Sequence, residues 1–287
     1  MGRPPVDVVT PFAGTDDELA RVRATLAGLA LADGDSVTVA DNRPGAAGAA
    51  AGVRVVPAPR VRSSYHARNV GAAAGSADWI VFLDADVLPE PDLLERYFDP
   101  EPGARTAVLA GAIVDEPPPD GAPFALRYSA ARGTLDHRNT LRGRWAYAQT
   151  ASCAVRRSAF EAVGGFRDDI RSGGDADLCF RLRAAGWELE SRERAVVVHR
   201  NRDTLRRLLR QRMRHGSGAG WLDRAYPGSA PGRGSWPGLV KWTLQSSAAS
   251  AARYARGERE EARLAMADLG TQWAMELGRL IPNEVRR

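Results

Sequence analysis

Over its first hundred residues the chain repeats one pattern: a short apolar, β-branched run, a polar break, a stretch at helical spacing, then another run. Residues 6–10 (Val-Asp-Val-Val-Thr) form the first run, which the spacing predicts to end at Pro11. Thr15 then opens a capping box with Glu18, and Leu19, Val22, Leu26 and Leu29 follow at helical intervals. A second strand is predicted over 36–40, stopped by the turn-rich Asp41-Asn42-Arg43-Pro44-Gly45. The Ala/Gly-rich segment 45–52 reads as a surface loop and 53–56 as a third strand. Between 64 and 74 the small residues Ala67, Gly71 and Ala74 suit a helix packed closely on a sheet. Residues 79–83 are continuously apolar, as a central strand buried on both faces must be. Strands and helices alternating at this spacing predict an α/β sheet covered on both faces.

Beyond residue 100 the pattern loosens. Strands are predicted over 107–114, 148–155 and 195–198, a Pro-rich loop over 116–123, and helices over 157–163 and 175–185, the last ended by Gly186. Residues 124–141 fit neither period. After residue 201 the composition changes: 204–215 is basic and amphipathic, 226–237 is a Gly/Pro linker, and 239–280 is mostly helical. The expected organisation is an α/β domain over 1–201, in halves of about 1–100 and 101–201, followed by a helical extension over 202–287.

Bulk properties narrow the partners. A chain of 287 residues can bury one substantial core with a smaller appendage. No apolar run approaches the roughly 18 residues that cross a bilayer, and residues 1–10 lack the pattern of a secretory leader, so a cytoplasmic chain is expected. Cys153 and Cys179 have no metal-ligand spacing and read as buried thiols in a reducing compartment. Net charge is +5, and Lys241 is the sole lysine among 40 basic residues. Arginine's planar fork matches phosphate oxygens bidentately. Nucleotide diphosphates, anionic lipid surfaces and nucleic acid all fit the excess charge, and of these no nucleic-acid partner is expected once the motifs below are weighed.

The strongest local feature is Ile80-Val81-Phe82-Leu83-Asp84-Ala85-Asp86. An apolar strand runs into two carboxylates at i and i+2, which in extended geometry face the same side and can share one cation. Hard ions such as Mg²⁺ or Mn²⁺ take carboxylate and phosphate oxygens. Ligands of open α/β sheets sit beyond the carboxyl ends of strands, where this pair lies. The alternative is a pair of solvated acids in a turn, with Asp86 capping the next helix.

Five segments taken in order resemble the family 2 glycosyltransferases, over about residues 6–215. Residues 6–11 are similar to the family's opening strand, and Val39-Ala40-Asp41-Asn42 to its second-strand acidic motif. Ala67-Arg68-Asn69-Val70-Gly71 is similar to its A-R-N-x-G helix, and Leu83-Asp84-Ala85-Asp86 to its D-x-D. Gly164-Gly165-Phe166, with Gly173-Gly174-Asp175-Ala176-Asp177-Leu178, looks like the acceptor-side segment and catalytic acidic motif. The resemblance implies a GT-A fold: a Rossmann-like nucleotide-binding sheet with a donor half before an acceptor half, here followed by a C-terminal helical extension. It implies a metal-dependent, inverting hexosyl transfer from a nucleotide sugar to an acceptor hydroxyl.

The same resemblance distributes roles. Asp41 would accept a ring N–H from the base, which favours uracil or thymine and leaves guanine open, with Thr10 and Pro11 lining that pocket. Arg68 would lie near the nucleotide phosphates. Asp86 would hold Mn²⁺ or Mg²⁺, with Asp84 at the metal or the donor sugar, and His199 as a further metal or phosphate ligand. Asp175 would be the base, and Asp177 would cap or brace its helix. Arg68 as a surface arginine and His199 as a packed histidine are the plain alternatives. Trp145 and Tyr147 suit either an acceptor platform or the core.

Two departures matter. The family's acidic motif is often Glu-Asp, whereas Gly174 precedes Asp175 here. Processive synthases carry Q-x-x-R-W beside transmembrane helices, whereas this chain has Gln211, Arg214 and then His215. A non-processive enzyme follows. A sugar-nucleotide pyrophosphorylase would want a Gly-rich phosphate loop that Pro11-Phe12-Ala13-Gly14-Thr15 makes poorly, and a dehydrogenase would want G-x-G-x-x-G there. A non-catalytic sugar-nucleotide-binding scaffold is the remaining alternative. The acceptor is expected to be a sugar, a lipid-linked or a small molecule.

The extension opens with seven arginines, Arg200 to Arg214, opposed by Asp203, and with Leu205, Leu208, Leu209 and Met213 at i, i+3, i+4 and i+8. Such a helix can lie on an anionic surface, here the inner face of the cell membrane, with Trp236 and Trp242 as anchors. The alternatives are that the stripe packs against the catalytic domain, with some arginines facing the donor diphosphate, or that the helices after Leu239 form a homodimer.

Overall fold

A computed structural model describes residues 2–44, 52–133, 140–230, 232 and 234–285. The expected loop at 45–52 falls almost wholly outside them, as do residues 134–139 of the segment that fitted neither period. The chain forms two compact units. One comprises Met1–Glu116, Gly133–Asn201 and Glu284–Arg287, the other Pro117–Arg132 and Arg202–Asn283. The segment 117–132 therefore belongs with the C-terminal helices, although the sequence suggested a single cut near residue 201.

The first unit is built on one eight-stranded sheet in the order β3-β2-β1-β4-β7-β6-β8-β5. Its strands are β1 (Val6–Phe12), β2 (Ser36–Asp41), β3 (Arg54–Pro57), β4 (Trp79–Leu83), β5 (Val87–Pro89), β6 (Thr106–Asp115), β7 (Ser152–Arg156) and β8 (Glu188–His199). β1 pairs in parallel with β2 and β4, β2 with β3, and β6 with β8. β7 runs antiparallel to β4 and β6, and β5 antiparallel to β8. Six strands thus point one way and their carboxyl ends share one edge of the sheet. The order reverses at β1, whose neighbours β2 and β4 continue in opposite directions, and such switch points are where ligands of α/β sheets bind.

β1 runs two residues past its predicted end because its pairing with β4 stops at Val9–Phe82 while its pairing with β2 continues to Phe12–Asp41. Pro11 is tolerated where the strand needs one neighbour. β8 is far longer than its apolar core over 195–198, and a register shift between Gly111 and Ala112 of β6 accommodates it. The predicted strand at 148–155 begins at Ser152.

Helices α1 (Asp16–Leu26), α2 (Ser64–Ala73), α3 (Leu93–Tyr97), α5 (Arg157–Ala162) and α6 (Gly174–Ala184) belong to this unit. Thr15 and Glu18 form the predicted capping box of α1. α2 lies so close to β1 and β2 that a Cβ on Gly71 would run into Val9 Cγ1 and touch Ala40 Cβ. That glycine lets the helix down onto the sheet.

The second unit contains α4 (Phe124–Arg132), α7 (Leu205–Ala225), α8 (Trp236–Ala255) and α9 (Arg259–Gly278). Tyr128, Leu208 and Leu264 share a buried cluster, with Phe124 and Ala267 against it. α7 and α9 meet backbone to backbone: a Cβ on Gly216 would strike Met275 O, and one on Gly278 would strike Met213 O. The middle of the leucine stripe is therefore turned inward, while Leu205 stays exposed. α4 is clipped to α9 by Arg127–Glu260 (2.9 Å), Arg132–Glu261 (3.1 Å) and Arg132–Asp268 (2.9 Å). No helix among the described residues is long and apolar enough to cross a membrane.

Candidate active site

The expected site residues are spread over the sequence, and the sheet brings them to one edge. Thr10 and Pro11 stand at the end of β1, Asp41 ends β2, Asp84 follows β4, and His199 ends β8. Asp86 lies in the turn between β4 and β5. Its backbone oxygen accepts from Arg200 N (2.8 Å), and Val87 is in register with His199, so β5 lays the second acid of the D-x-D beside the end of β8. His199 Nε2 is 3.7 Å from Asp86 Oδ2. On its other side His199 Nδ1 is 3.5 Å from Asp115 Oδ1, at the end of β6. Burial pushes the imidazole pKa down, but the Asp115 and Asp86 carboxylates outweigh it and hold the value above the ordinary one.

Arg68 sits on α2, only 3% exposed, and its guanidinium pairs with Asp84 Oδ1. It lies over the rings of Tyr65 and Phe166, 5.6 and 5.9 Å from their centroids. Asn69 clamps this arrangement: Nδ2 donates to Phe166 O (2.8 Å) and Oδ1 accepts from Phe166 N (2.9 Å). The A-R-N-x-G helix and the Gly-Gly-Phe segment are thereby locked together. Gly164 and Gly165 have φ of 76° and 67°, a conformation that favours glycine.

Asp175 opens α6. Its Oδ1 accepts from Ala176 N (3.0 Å), and among the described residues it forms no ion pair. Enclosure by protein raises its pKa, with Asp84 adding to the rise and the Ala176 N–H and Arg68 opposing it. A desolvated carboxylate without an ion-pair partner among the described residues binds a proton more readily than an exposed one, which suits a proton acceptor. Asp177, two residues on, is different. It is buried and bound by Arg181 Nε and Nη2 (2.9 and 2.7 Å), and Arg181 also donates to Val163 O and Gly165 O. That is the bracing role the sequence suggested.

The glycine that replaces the family's usual Glu also has a structural cause. A Cβ on Gly174 would lie 2.7 Å from Tyr65 Cζ, and Gly174 N donates to Tyr65 Oη (2.9 Å). The Tyr65 ring occupies the space a side chain would need. Trp145 and Tyr147 both pack on Phe180 of α6, with centroids 4.9 and 6.4 Å away. Burial and the charge of Asp175 raise the Tyr147 phenol pKa.

Asp41 is 0% exposed and its carboxylate is engaged. Arg43 donates to it through its backbone N–H (3.0 Å), Nε (3.0 Å to each oxygen) and Nη2 (2.7 Å). The same guanidinium reaches Asp16 (2.7 Å) and covers the Phe12 ring at 5.2 Å.

A divalent cation has a partial cradle here. Asp86 and His199 offer an oxygen and a nitrogen on adjacent sides, with Asp115 positioned to orient the imidazole. Among the described residues no three His, Cys, Asp or Glu side chains gather into a full ligand set. That suits an ion such as Mg²⁺ or Mn²⁺, which completes its shell with substrate phosphate and water. Buried polar atoms without hydrogen-bond partners collect at the same edge: Thr10 Oγ1, Arg68 Nε and His199 Nδ1.

A family model described as glycosyltransferase-like family 2 matches residues 29–218. The chain belongs to glycosyltransferase family 2. It is 31% identical over 254 residues to a pre-mycofactocin glycosyltransferase of Mycobacterium tuberculosis, covering 84% of this chain and 52% of that protein. It is 30% identical over 162 residues to the glycosyltransferase AglE of Haloferax volcanii, covering 55% and 50%. The chain spans about half the length of the curated relatives it matches. Among solved structures it resembles the mannosyltransferase PcManGT of Pyrobaculum calidifontis in complex with GDP-Man and Mn²⁺, with TM-score 0.56 at 16% identity over 96% of this chain and 73% of that one. It also resembles GalNAc-T7 with UDP, GalNAc and Mn²⁺, with TM-score 0.51 at 14% identity over 69% and 43%. The sheet and its helices are those of the GT-A fold.

In this family 2 glycosyltransferase, sequence reasoning missed Arg43, Asp115, Tyr65 and Asn69. Asn69 was within reach, since it is the Asn of A-R-N-x-G. Asp115 ends an apolar strand as Asp84 follows one, a signal that applied equally to β6. Arg43 stands two residues after Asp41, a spacing that allowed the pair, whereas Tyr65 carries no local pattern because its contact with Gly174 is made across 109 residues.

Proposed function

We propose that the protein transfers a hexosyl group from a nucleotide sugar, UDP- or dTDP-linked or else GDP-linked, to an acceptor hydroxyl with inversion, one sugar at a time. The carrying observation is the convergence at one sheet edge of Asp84, Asp86 and Asp175 with the unsatisfied Thr10 Oγ1 and Arg68 Nε. Buried polar groups left without partners are uncommon in native proteins, and a bound polar ligand is one explanation.

In this proposal Asp175 takes the proton of the acceptor hydroxyl as that oxygen attacks the anomeric carbon. The bond to the diphosphate breaks on the opposite face, so an α-linked donor gives a β-linked product. Arg68, steadied by Tyr65 and Phe166, meets the departing phosphate oxygens and exchanges part of its hold on Asp84 for them. Asp86 and His199, with Asp84 beside them, would hold Mn²⁺ or Mg²⁺, which when bound supplies Lewis-acid neutralisation of the leaving group. Thr10 and Pro11 border the base pocket, and Asp41 reads the base once Arg43 yields its carboxylate. The solved neighbours, with GDP-Man or UDP beside Mn²⁺, support both the donor class and the ion. A thermal-shift panel of UDP-, dTDP- and GDP-sugars with Mn²⁺ tests the assignment. The matching donor at 100-fold excess over Kd stabilises by about 2.7 kcal/mol. No shift with any donor, or net retention in the product's anomeric NMR signal, overturns it.

The proposal extends to a lipid-borne acceptor met at an anionic membrane surface. The middle of the α7 stripe is packed inward, but α8 leaves Trp236, Val240 and Leu244 exposed, Leu244 to 67%. Its only charges are Lys241 and Arg253. The helical unit carries 16 Arg and Lys against 8 Asp and Glu. An exposed apolar helix on a basic unit is complementary to anionic headgroups. Flotation with anionic liposomes should succeed in low salt and fail near 1 M, where the Debye length is about 3 Å. Failure in low salt together with a dimeric mass in solution assigns α8 to a second copy instead.

A further inference from the structure

α8, α9 and the residues just before α8 border an open cavity of about 590 Å³ within the helical unit. Its wall is mixed in a particular way. Leu239 and Trp242 of α8 and Met275 of α9 give apolar surface, while Gln272, Glu276 and Arg279, each at or near the end of α9, give polar groups. The pairing of the two helices is firm around it. Trp273 Nε1 donates to Thr243 Oγ1 (3.0 Å), and Trp273 stacks on Trp236 with centroids 6.0 Å apart.

Glu276 is the unexplained member. It is 6% exposed, yet its carboxylate is poorly supplied: Gln272 Nε2 donates to Oε1 at 3.3 Å, and Arg279 Nε is 3.6 Å from the same oxygen. Oε2 has no hydrogen-bond partner. The other acids of α9 contrast with it, since Glu260, Glu261 and Asp268 each hold an arginine within 3.1 Å. A buried carboxylate oxygen without a donor is costly, and Glu276 lines the cavity, where a small change in its broad terminal torsion would bring a ligand donor within reach.

We propose that this cavity is a carbohydrate subsite, separate from the reaction site and independent of the transfer assigned above. The ligand must offer a hydrogen-bond donor to Glu276 and acceptors to Gln272 and Arg279 within one short span, and an apolar patch to Trp242, Leu239 and Met275. A pyranose has this combination. Its neighbouring hydroxyls both donate and accept, and its C–H face lies flat on an indole. A simple amine would satisfy Glu276 but oppose Arg279. A phosphate would satisfy Arg279 but oppose Glu276.

The test uses the whole chain without nucleotide or metal, so that binding at the reaction site does not intrude. Methyl glucoside, methyl mannoside and methyl galactoside are titrated by saturation-transfer NMR and calorimetry. At least one is expected to bind in the millimolar range, with transfer strongest to ring C–H protons. Glu276→Gln keeps the shape, and Trp242→Ala removes a half-exposed ring; each should raise Kd at least about tenfold, a loss of about 1.4 kcal/mol. A thermal melt of each variant checks that it is folded. The proposal fails if no glycoside binds up to about 100 mM, where the binding free energy would be only about 1.4 kcal/mol. It also fails if both folded variants bind as the wild type does.

Discussion

Asp175 and the acids that face α4 are handled in opposite ways. In the helical unit Glu260, Glu261 and Asp268 each close a short ion pair with arginine, and those pairs clip α4 to α9. At the sheet edge Asp175 accepts from the Ala176 N–H and forms no ion pair among the described residues, and Asp86 lies 3.7 Å from the His199 imidazole. Arginine is abundant in both units, so supply is not the cause. The α/β unit has closed pairs of its own beside Asp175, namely Asp41–Arg43, Asp84–Arg68 and Asp177–Arg181, the last only two residues away. A closed pair spends its charge on structure. An open one keeps its charge for a ligand, at a cost in stability that the rest of the fold bears.

Asp175→Asn breaks the contrast most sharply. It is nearly isosteric and keeps an oxygen for the Ala176 N–H, so donor binding should persist while turnover falls at least about 10²-fold. The raised pKa of Asp175 gives two further readouts. Because the folded state holds this proton more tightly than the unfolded chain does, the group's contribution to stability is present below the ordinary carboxylate pKa. It is lost as pH rises through the folded value. At neutral pH the Asn variant should therefore melt no lower than the wild type. The acid limb of wild-type kcat should lie above the ordinary carboxylate range. Near-normal turnover in the variant removes Asp175 from the base role.

The metal side gives graded losses. Asp86→Ala should abolish the Mn²⁺ dependence of UDP binding measured by calorimetry. Asp115→Asn, which acts through His199, should weaken Mn²⁺ by about 10- to 100-fold, as outer partners of metal ligands generally do. Equal effects of the two would place Asp115 in direct contact with the ion. Arg43→Ala sharpens the comparison from a third side, since it opens the closed pair on Asp41. If Arg43 merely guards Asp41, UDP binding should tighten while the free protein melts lower, because a buried charge loses its partner. Weaker UDP binding would instead assign Arg43 itself to the base.

These residues were not equally legible. Asp41, Asp84 and Asp86 stand where an apolar run ends, and strand ends of a parallel sheet share an edge, so their coming together was legible, whereas Asp175 opens a helix and was singled out by resemblance alone. The alternation over the first hundred residues foreshadowed β1 to β4, while the directions of β6 and β8 were not legible. Tyr65 and α4 were opaque for one reason: their partners are non-local. Tyr65 meets Gly174 across 109 residues, and Arg127 meets Glu260 across 133. No period links such positions. The charge pattern of the extension was visible, but which face of α7 turned inward was decided by Gly216 and Gly278, whose lack of side chains permits the close crossing with α9.

Glycine gives the smallest and cleanest comparison of the two units. Gly71 of α2 is pressed on β1, and a methyl there would run into Val9 Cγ1 and press α2 off the sheet. Gly71→Ala should cost about 1–3 kcal/mol by overpacking, and it should weaken donor binding too, because Arg68 rides on the same helix. Gly270 lies in the interior of α9, where a methyl would meet Leu209 Cδ2 at 3.6 Å, an ordinary contact. Its backbone is helical, so alanine restricts the unfolded chain and adds contact without strain. Gly270→Ala should therefore stabilise by about 0.5–1 kcal/mol, a rise of a few degrees in Tm, with donor binding unchanged. Differential scanning calorimetry of the two variants decides the matter. If both substitutions lower Tm, the α7–α9 packing is as tight at Gly270 as at Gly216 and Gly278. If both raise it, α2 is not seated on the sheet through Gly71, and the support proposed for Arg68 must come from Asn69 and Phe166 alone.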